Sequence, residues 1–211
     1  MIPSLDTAPA NPALSWEDEV TGHLRLDPSH EEQARVMGLL VPTVAEWVQA
    51  LTNRQLITAT YLFWFSSFDE ALAAACRHPK RYPSNAILVP RPPLQSVTWI
   101  KYYDTANVLQ TWASSNYTTK TPAGPKASSG WIQPVPAATF PSTYDRPDAV
   151  EIKAVCGYGA DSTDIPGALR QAMLLLLGEM FERREEAVIG TIVAAAPVQA
   201  VNLGLGYLVE V

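Results

Sequence analysis

The stretch Leu88-Val-Pro-Arg-Pro-Pro-Leu-Gln-Ser-Val-Thr-Trp-Ile-Lys-Tyr-Tyr-Asp104 decides the fold class, because two prolines stop one strand and a long alternating strand begins directly after them. Pro92 and Pro93 have no N–H to give to a ladder and hold φ near the polyproline value, so neither a sheet nor a helix runs through them. From Ser96 to Tyr103 a period of two puts Val97, Trp99, Lys101 and Tyr103 on one face and Thr98, Ile100 and Tyr102 on the other, with apolar groups on both. Asp104 to Asn107 supplies a turn and Val108 to Trp112 a return strand, which predicts a hairpin with a four-residue loop. A β-layer therefore lies between two helical stretches of chain.

Upstream, residues 1–13 hold Pro3, Pro9 and Pro12 among small residues and read as an extended arm. Ser15 is placed to cap a helix to about Leu26, with Glu17, Asp18 and Glu19 in its first turn, where the helix dipole favours anions. After the break at Asp27-Pro-Ser, Ser29 is placed to cap a second helix in which Val36, Leu39, Leu40, Val44, Trp47, Val48 and Leu51 form one apolar stripe. Pro42 inside it predicts a kink or a stop near Leu40 and Val41. Leu56 to Phe65 reads as a strand, and 66–85 as an insertion with a short helix from Phe68 to Arg77.

Downstream, 113–147 is rich in Pro, Ser, Thr, Gly and Ala, with short strands expected at Tyr117–Thr121 and Gly130–Val135. Such a segment is a functional loop, a finger towards a neighbour or a plain solvent-exposed loop. Val150 to Tyr158 is a strand that leaves through Gly157 and Gly159. Asp164 or Thr163 is placed to cap the last long helix, with Pro166 near its first position. Its Ala168, Leu169, Ala172, Met173, Leu175, Leu176, Met180 and Phe181 cover more than one face needs, which predicts a second contact surface. From Ala187 to Val211 the only ionisable side chain is Glu210. An apolar end of that length invites aggregation unless its own core or a partner covers it.

The chain is thus read as α+β: N-terminal helices, a central antiparallel β-layer with a hairpin, a long C-terminal helix and an extended apolar tail. Its parts are the arm 1–13, one domain over 14–186 carrying the insertion 66–85 and the loop 113–147, and the tail 187–211. A net charge of -6 with scattered Lys and Arg argues against gripping nucleic acid through its phosphates. No basic region precedes an apolar core at the start and no run approaches a membrane span, so a soluble, intracellular protein is expected. Cys76 and Cys156 are expected to be free thiols.

No convergent reactive set is legible. His23, His30 and His78 lack metal-ligand spacing, Gly157-Tyr-Gly159 lacks the rest of a phosphate loop, and the acid pairs Asp18-Glu19, Glu31-Glu32 and Glu185-Glu186 fall on polar helix ends. No catalytic, cofactor-binding or metal-binding residue is assigned, and no cofactor is expected. A Cys76–His78–Asp69 hydrolase can be drawn but is not how such sets are built. Trp99, Tyr102, Tyr103 and Trp112 could form a stacking platform for sugars or bases, or simply pack the sheet.

The strand block 88–112, together with Leu14–Asp27, Val48–Thr60 and Pro147–Gly159 followed by Ile165–Leu177, resembles in this order the head-tail connector, or adaptor, proteins of long-tailed bacteriophages. The resemblance implies a non-enzymatic structural protein of the virion neck, assembled in the host cytoplasm as a homo-oligomeric ring of twelve. Its implied partners are the portal protein, the next neck protein (stopper or tail terminator) and passing DNA, with no membrane. It implies that Val198, Val201, Leu203, Leu205, Tyr207 and Leu208 in the C-terminal segment dock on the portal, while Leu169, Met173, Leu176, Met180 and Phe181 serve core or inter-subunit packing. The insertion 66–85 departs from the family's compact hairpin. The alternative reading is a monomeric carbohydrate- or peptide-binding module built on the hairpin aromatics.

Overall fold

The computed structural model describes residues 2–77, 81–183 and 197–209, with the side chains of Ile2, Ala74 and Cys76 left out. Strands and helices are mixed and both sheets are antiparallel, so the class is α+β. The chain packs as two compact units, one of residues 2–8 with 58–157 and one of residues 9–57 with 158–209.

The first unit holds the sheets. Its five-stranded sheet joins β1 (Ile2–Thr7), β2 (Ala59–Phe65), β8 (Val150–Cys156), β4 (Leu94–Tyr103) and β5 (Leu109–Trp112) in that spatial order. Thus part of the stretch read as an extended arm contributes an edge strand, with Ile2 opposite Trp64 and Leu5 opposite Tyr61. Alternation is strict in β2 and β8: Ala59, Tyr61, Phe63 and Phe65 bury against Val150, Ile152, Ala154 and Cys156, while the residues between them stay half-exposed. In β4 the expected alternation fails. Register shifts between Leu94 and Ser96 and between Val97 and Trp99 each add a residue, so Leu94, Val97, Ile100 and Tyr102 reach the core together and Trp99 does not.

The β4–β5 hairpin is tighter than a four-residue loop. Asp104 N–H donates to the Val108 carbonyl at 3.0 Å and Asn107 N–H to the Asp104 carbonyl at 2.7 Å, with Asn107 left-handed at φ 61, a turn closed by one left-handed residue. The Asp104 carboxylate accepts from Ala106 N, Val108 N and Gln110 Nε2. Residues 66–85 do contain a helix, Phe68–Cys76 (α3), in which the Ser67 hydroxyl accepts from Glu70 N and the Glu70 carboxylate from Ser66 N.

Much of 113–147 is ordered structure. β6 (Tyr117–Lys120) and β7 (Gly130–Pro134) pair with each other, and β7 pairs with β3 (Ile87–Val89), making a second, three-stranded sheet. The return to β8 is pinned by Tyr144 N–H on the Tyr103 carbonyl and by Arg146, whose guanidinium stacks 3.7 Å over the Tyr103 ring and bonds both Asp148 oxygens at 2.7 Å.

The second unit is helical. Ser15 caps residues 16–24 (α1): its hydroxyl accepts from Asp18 N, and the Glu19 carboxylate accepts from Ser15 N at 2.8 Å. Ser29 does not cap the next helix, because Asp27 takes both its N–H and its hydroxyl into a turn and the helix starts only at Gln33. Residues 33–52 (α2) pass through Pro42 without stopping. The Val41 N–H reaches back to the Val36 carbonyl, one residue farther than in an α-helix, and this widened turn makes room for the proline ring. Asn53, left-handed at φ 55, ends it.

Neither Asp164 nor Thr163 caps the last long helix, Gly167–Glu182 (α4). Asp164 instead closes a short turn with Asp161, each carboxylate taking the other's N–H, and α4 starts from Pro166. Helices α1, α2 and α4 enclose Leu14, Val20, Val36, Val44, Val48, Leu169, Met173 and Leu177. Arg170 on α4 bonds Glu19 on α1 at 2.8 Å. The final helix, Val198–Leu205 (α5), packs on α4 and α2.

Candidate assembly surface

Helix α5 is short and carries two different stripes. Ala200, Leu203, Gly204 and Tyr207 recur at helical spacing and turn inward: Ala200 and Gly204 are buried, and Leu203 and Tyr207 pack half-buried on the helical core. The small residues let the helix approach closely, since a Cβ at position 204 would lie 2.5 Å from Leu51 Cδ2. Val198, Val201, Leu205 and Leu208 make the opposite stripe. Val198 is 71% exposed, Leu205 48% and Leu208 46%, among the most exposed large apolar side chains described.

The C-terminal segment is therefore not a wholly free tail. Over 197–209 half of its apolar residues are covered by its own unit, and Val209 is buried with its N–H on the Thr52 carbonyl. Of the six residues assigned to portal docking, Leu203 and Tyr207 face the unit's own core, and Val198, Val201, Leu205 and Leu208 form the outer stripe. Residues 187–196 lie outside the described residues.

On α4, Leu169 and Met173 are fully enclosed and Leu176 nearly so, all within the unit's own core. Burial inside the unit leaves Leu169 and Met173 no side-chain surface for a neighbour and Leu176 little. Met180 and Phe181, near the end of the helix, are half-buried.

The hairpin aromatics do not form an open platform. Trp112 is 4% exposed and packs between Tyr117 at 5.2 Å and Phe140 at 5.1 Å, while Tyr102 meets Phe68 at 5.9 Å. Trp99 and Tyr103 lie on the outer side, but Lys101 Nζ sits 4.3 Å over the Trp99 ring and Arg146 over Tyr103.

Groups that could carry chemistry are dispersed. Cys156 is buried, and burial pushes its thiol up to about 12, away from the thiolate that reacts. The Cys76 side chain and His78 lie outside the described residues. His30 accepts the Glu32 N–H through Nδ1. A cleft of about 570 Å³ beside α1 is lined by Trp16, Glu17, Asp18, Met37 and Asp161, but Asp18 binds the Ser15 hydroxyl and Asp161 holds Asn11. No group of three or more His, Cys, Asp or Glu among the described residues is placed to hold a metal ion.

The net charge is unevenly divided. Segments 1–8 and 58–157, which build the sheet unit, carry nine Lys and Arg against seven Asp and Glu, whereas the remaining chain carries six against fourteen. The acidity of the protein belongs to its helical unit.

No protein-family model matches the sequence, and no curated protein matches it. Solved structures do. A chain in the virion of a native gene transfer agent particle superposes with a TM-score of 0.75 at 20% identity, covering 100% of this chain and 96% of that one. A chain in the neck of an empty gene transfer agent particle, computed with C6 symmetry, gives 0.73 at 19% identity, and one in the neck of the native particle, computed with C12 symmetry, gives 0.69 at 18%, with the same coverages of 100% and 96%. At this level of identity the likeness is one of fold, and it runs the whole length: this chain has the fold of those particle components.

Proposed function

We propose that this chain is a structural subunit of the neck of a tailed, phage-like particle, a head-tail connector that joins the capsid to the tail through binding alone. Copies assemble as a ring on the portal vertex, meet the next neck protein on the other side and leave a channel for DNA. The observation that carries this reading is the full-length likeness of fold to gene transfer agent particle chains, two of them from necks. The likeness to chains of necks computed with C6 and with C12 symmetry supports a homo-oligomeric ring, which this reading takes to have twelve members.

The outer stripe of α5, Val198, Val201, Leu205 and Leu208, is the portal-facing surface in this reading, and Leu203 and Tyr207 seat it. Met180 and Phe181 are the part of the α4 set left for a neighbouring subunit. A closed ring of one subunit type needs a heterologous contact, in which one flank complements the other. The surplus carboxylates of the helical unit would repel DNA phosphates, which suits a surface along which DNA slides. The protein acts in the virion neck and reaches it from the host cytoplasm.

Size exclusion with light scattering, run with and without the purified portal ring of the same particle, tests this. A chain that joins the portal as a ring is expected. A stable monomer that ignores the portal overturns it.

A further inference from the structure

The turn that ends α2 is committed, residue by residue, to the C-terminal segment. The Thr52 carbonyl accepts from Val209 N at 3.1 Å, Asn53 Nδ2 donates to the Val209 carbonyl at 2.9 Å, and Arg54 Nε donates to the Tyr207 carbonyl at 2.7 Å. The left-handed Asn53 turns the chain so that all three groups address one strand of backbone.

Arg54 is the unusual member. It is 2% exposed and its guanidinium carbon lies 6.0 Å from the centre of the Tyr158 ring. A guanidinium taken this far from water is costly unless its donors are used. Burial pulls its pKa below the ordinary arginine value, against the opposing influence of Tyr158 and Tyr207. The Tyr207 carbonyl and the Tyr158 ring are among the partners that offset that cost. Their effect is geometric. Gly206 follows α5 directly, and Leu208 stands between the two pinned residues Tyr207 and Val209 with 46% of its surface exposed. Turn bonds from Tyr207 N to the Gly204 carbonyl and from Leu208 N to the Leu205 carbonyl continue the helical course.

We propose that Arg54 is a positioning residue for the assembly surface: by holding the Tyr207 carbonyl it fixes the chain beyond α5, so that Leu208 continues the stripe of Val198, Val201 and Leu205. The inference rests on the reading of that stripe as portal-facing. A partner then meets a surface that is already ordered, and the ordering is not charged against binding.

The test pairs two variants of the full chain. Arg54→Met keeps the apolar stem and removes the donors. Asn53→Gly keeps the left-handed turn, removes only the side chain that reaches Val209 and guards against a simple folding failure at position 54. Hydrogen–deuterium exchange at 207–209 should quicken about ten- to hundredfold in Arg54→Met, the size expected for a lost hydrogen bond to a charged group, and less in Asn53→Gly. Exchange within α2 and α4 should stay unchanged in Asn53→Gly, and the affinity of both variants for the purified portal ring should fall in the same order. Unchanged exchange at 207–209 in both variants overturns the proposal, and so does faster exchange with undiminished portal affinity. If the unaltered chain fails to bind portal while exchange responds as expected, the portal reading has failed and the positioning role falls with it.

Discussion

Val198→Asp separates folding from assembly more cleanly than other changes in this chain. Val198 is the first residue of α5 and 71% exposed, so its loss removes little internal packing. An acid in the first turn of a helix is favoured by about 0.3–1 kcal/mol through the helix dipole, so the free subunit should be as stable as before or slightly more stable. Assembly should respond in the opposite sense. Burying a valine side chain fully is worth about 1.5 kcal/mol, of which roughly 1 kcal/mol remains to be gained from the exposed part on docking. A carboxylate forced into an apolar contact adds roughly 2 kcal/mol or more. The total of about 3 kcal/mol weakens portal binding by roughly a hundredfold. Ala200→Asp, two residues on but on the inward stripe with 0% exposure, should behave as the reverse control. Its buried carboxylate costs about 3 kcal/mol or more, which lowers Tm by roughly 6–12 °C in a chain of this size. Thermal scans by circular dichroism and co-sedimentation with portal rings give the two readouts. A Val198→Asp protein that melts several degrees early, or one that binds portal undiminished, would show that the stripe has been read the wrong way round.

Three further outcomes follow from the sheet unit. Trp112→Ala should destabilise it by about 3–5 kcal/mol in urea unfolding, as expected for a ring enclosed by Tyr117 and Phe140; a cost below about 1 kcal/mol would place that side chain outside the core. The Asp104 carboxyl is held below its ordinary value by the Val108 N–H first and then by Gln110. Its folded pKa is depressed, so its contribution is present above the unfolded value of 3.8 and is lost as pH falls through the lower folded value. Proton exchange at Ala106 and Val108, referenced to intrinsic rates, should therefore lose protection only in that acid window, and protection that is flat with pH would refute the turn's dependence on this carboxylate. Cys156, its thiol pushed up to about 12, should react with iodoacetamide at pH 8 only as fast as the unit opens; rapid labelling of the native protein at that position would contradict its burial.

The α+β class was legible because it depends on periods that survive in one dimension. The strict alternation of β2 and β8, the Ser15 cap and the helix at 68–76 could all be read from residue types. What could not be read depends on choices that leave no mark in residue type. Each bulge in β4 flips the parity of the strand, and the one between Val97 and Trp99 puts these two residues, two apart, on opposite sides. Of the kink or stop that Pro42 predicted near Leu40 and Val41, the stop does not occur: the helix departs from ideal geometry there through one widened turn and continues to Thr52. Within 113–147 the two short strands were legible, but their pairing with β3 in a separate sheet was not, because strands of four and five residues carry too little alternation to name a partner. Ser29 and Asp164 were misplaced as caps for a common reason: a carboxylate near a helix start, here that of Asp27 or of Asp164 itself, can bind the preceding turn instead of the helix.

The candidate surface shows the same limit more sharply. Lack of charge marked 187–211 as needing cover, yet composition is blind to facing, and in 197–209 the deciding signal was spacing: small residues at 200 and 204 inward, Val198, Val201, Leu205 and Leu208 outward. That division also constrains how the protein could work. Four side chains, three of them already about half covered or less exposed than Val198, fall far short of the roughly 1,000 Å² that a stable two-body interface buries. A single subunit should therefore hold a portal weakly. Closing the subunits into a ring changes this, because once one stripe is seated the others bind at a high effective concentration. Weak unit contacts with strong collective attachment would make docking depend on ring formation, and a subunit that cannot close a ring should fail to stay on the portal even with its stripe intact.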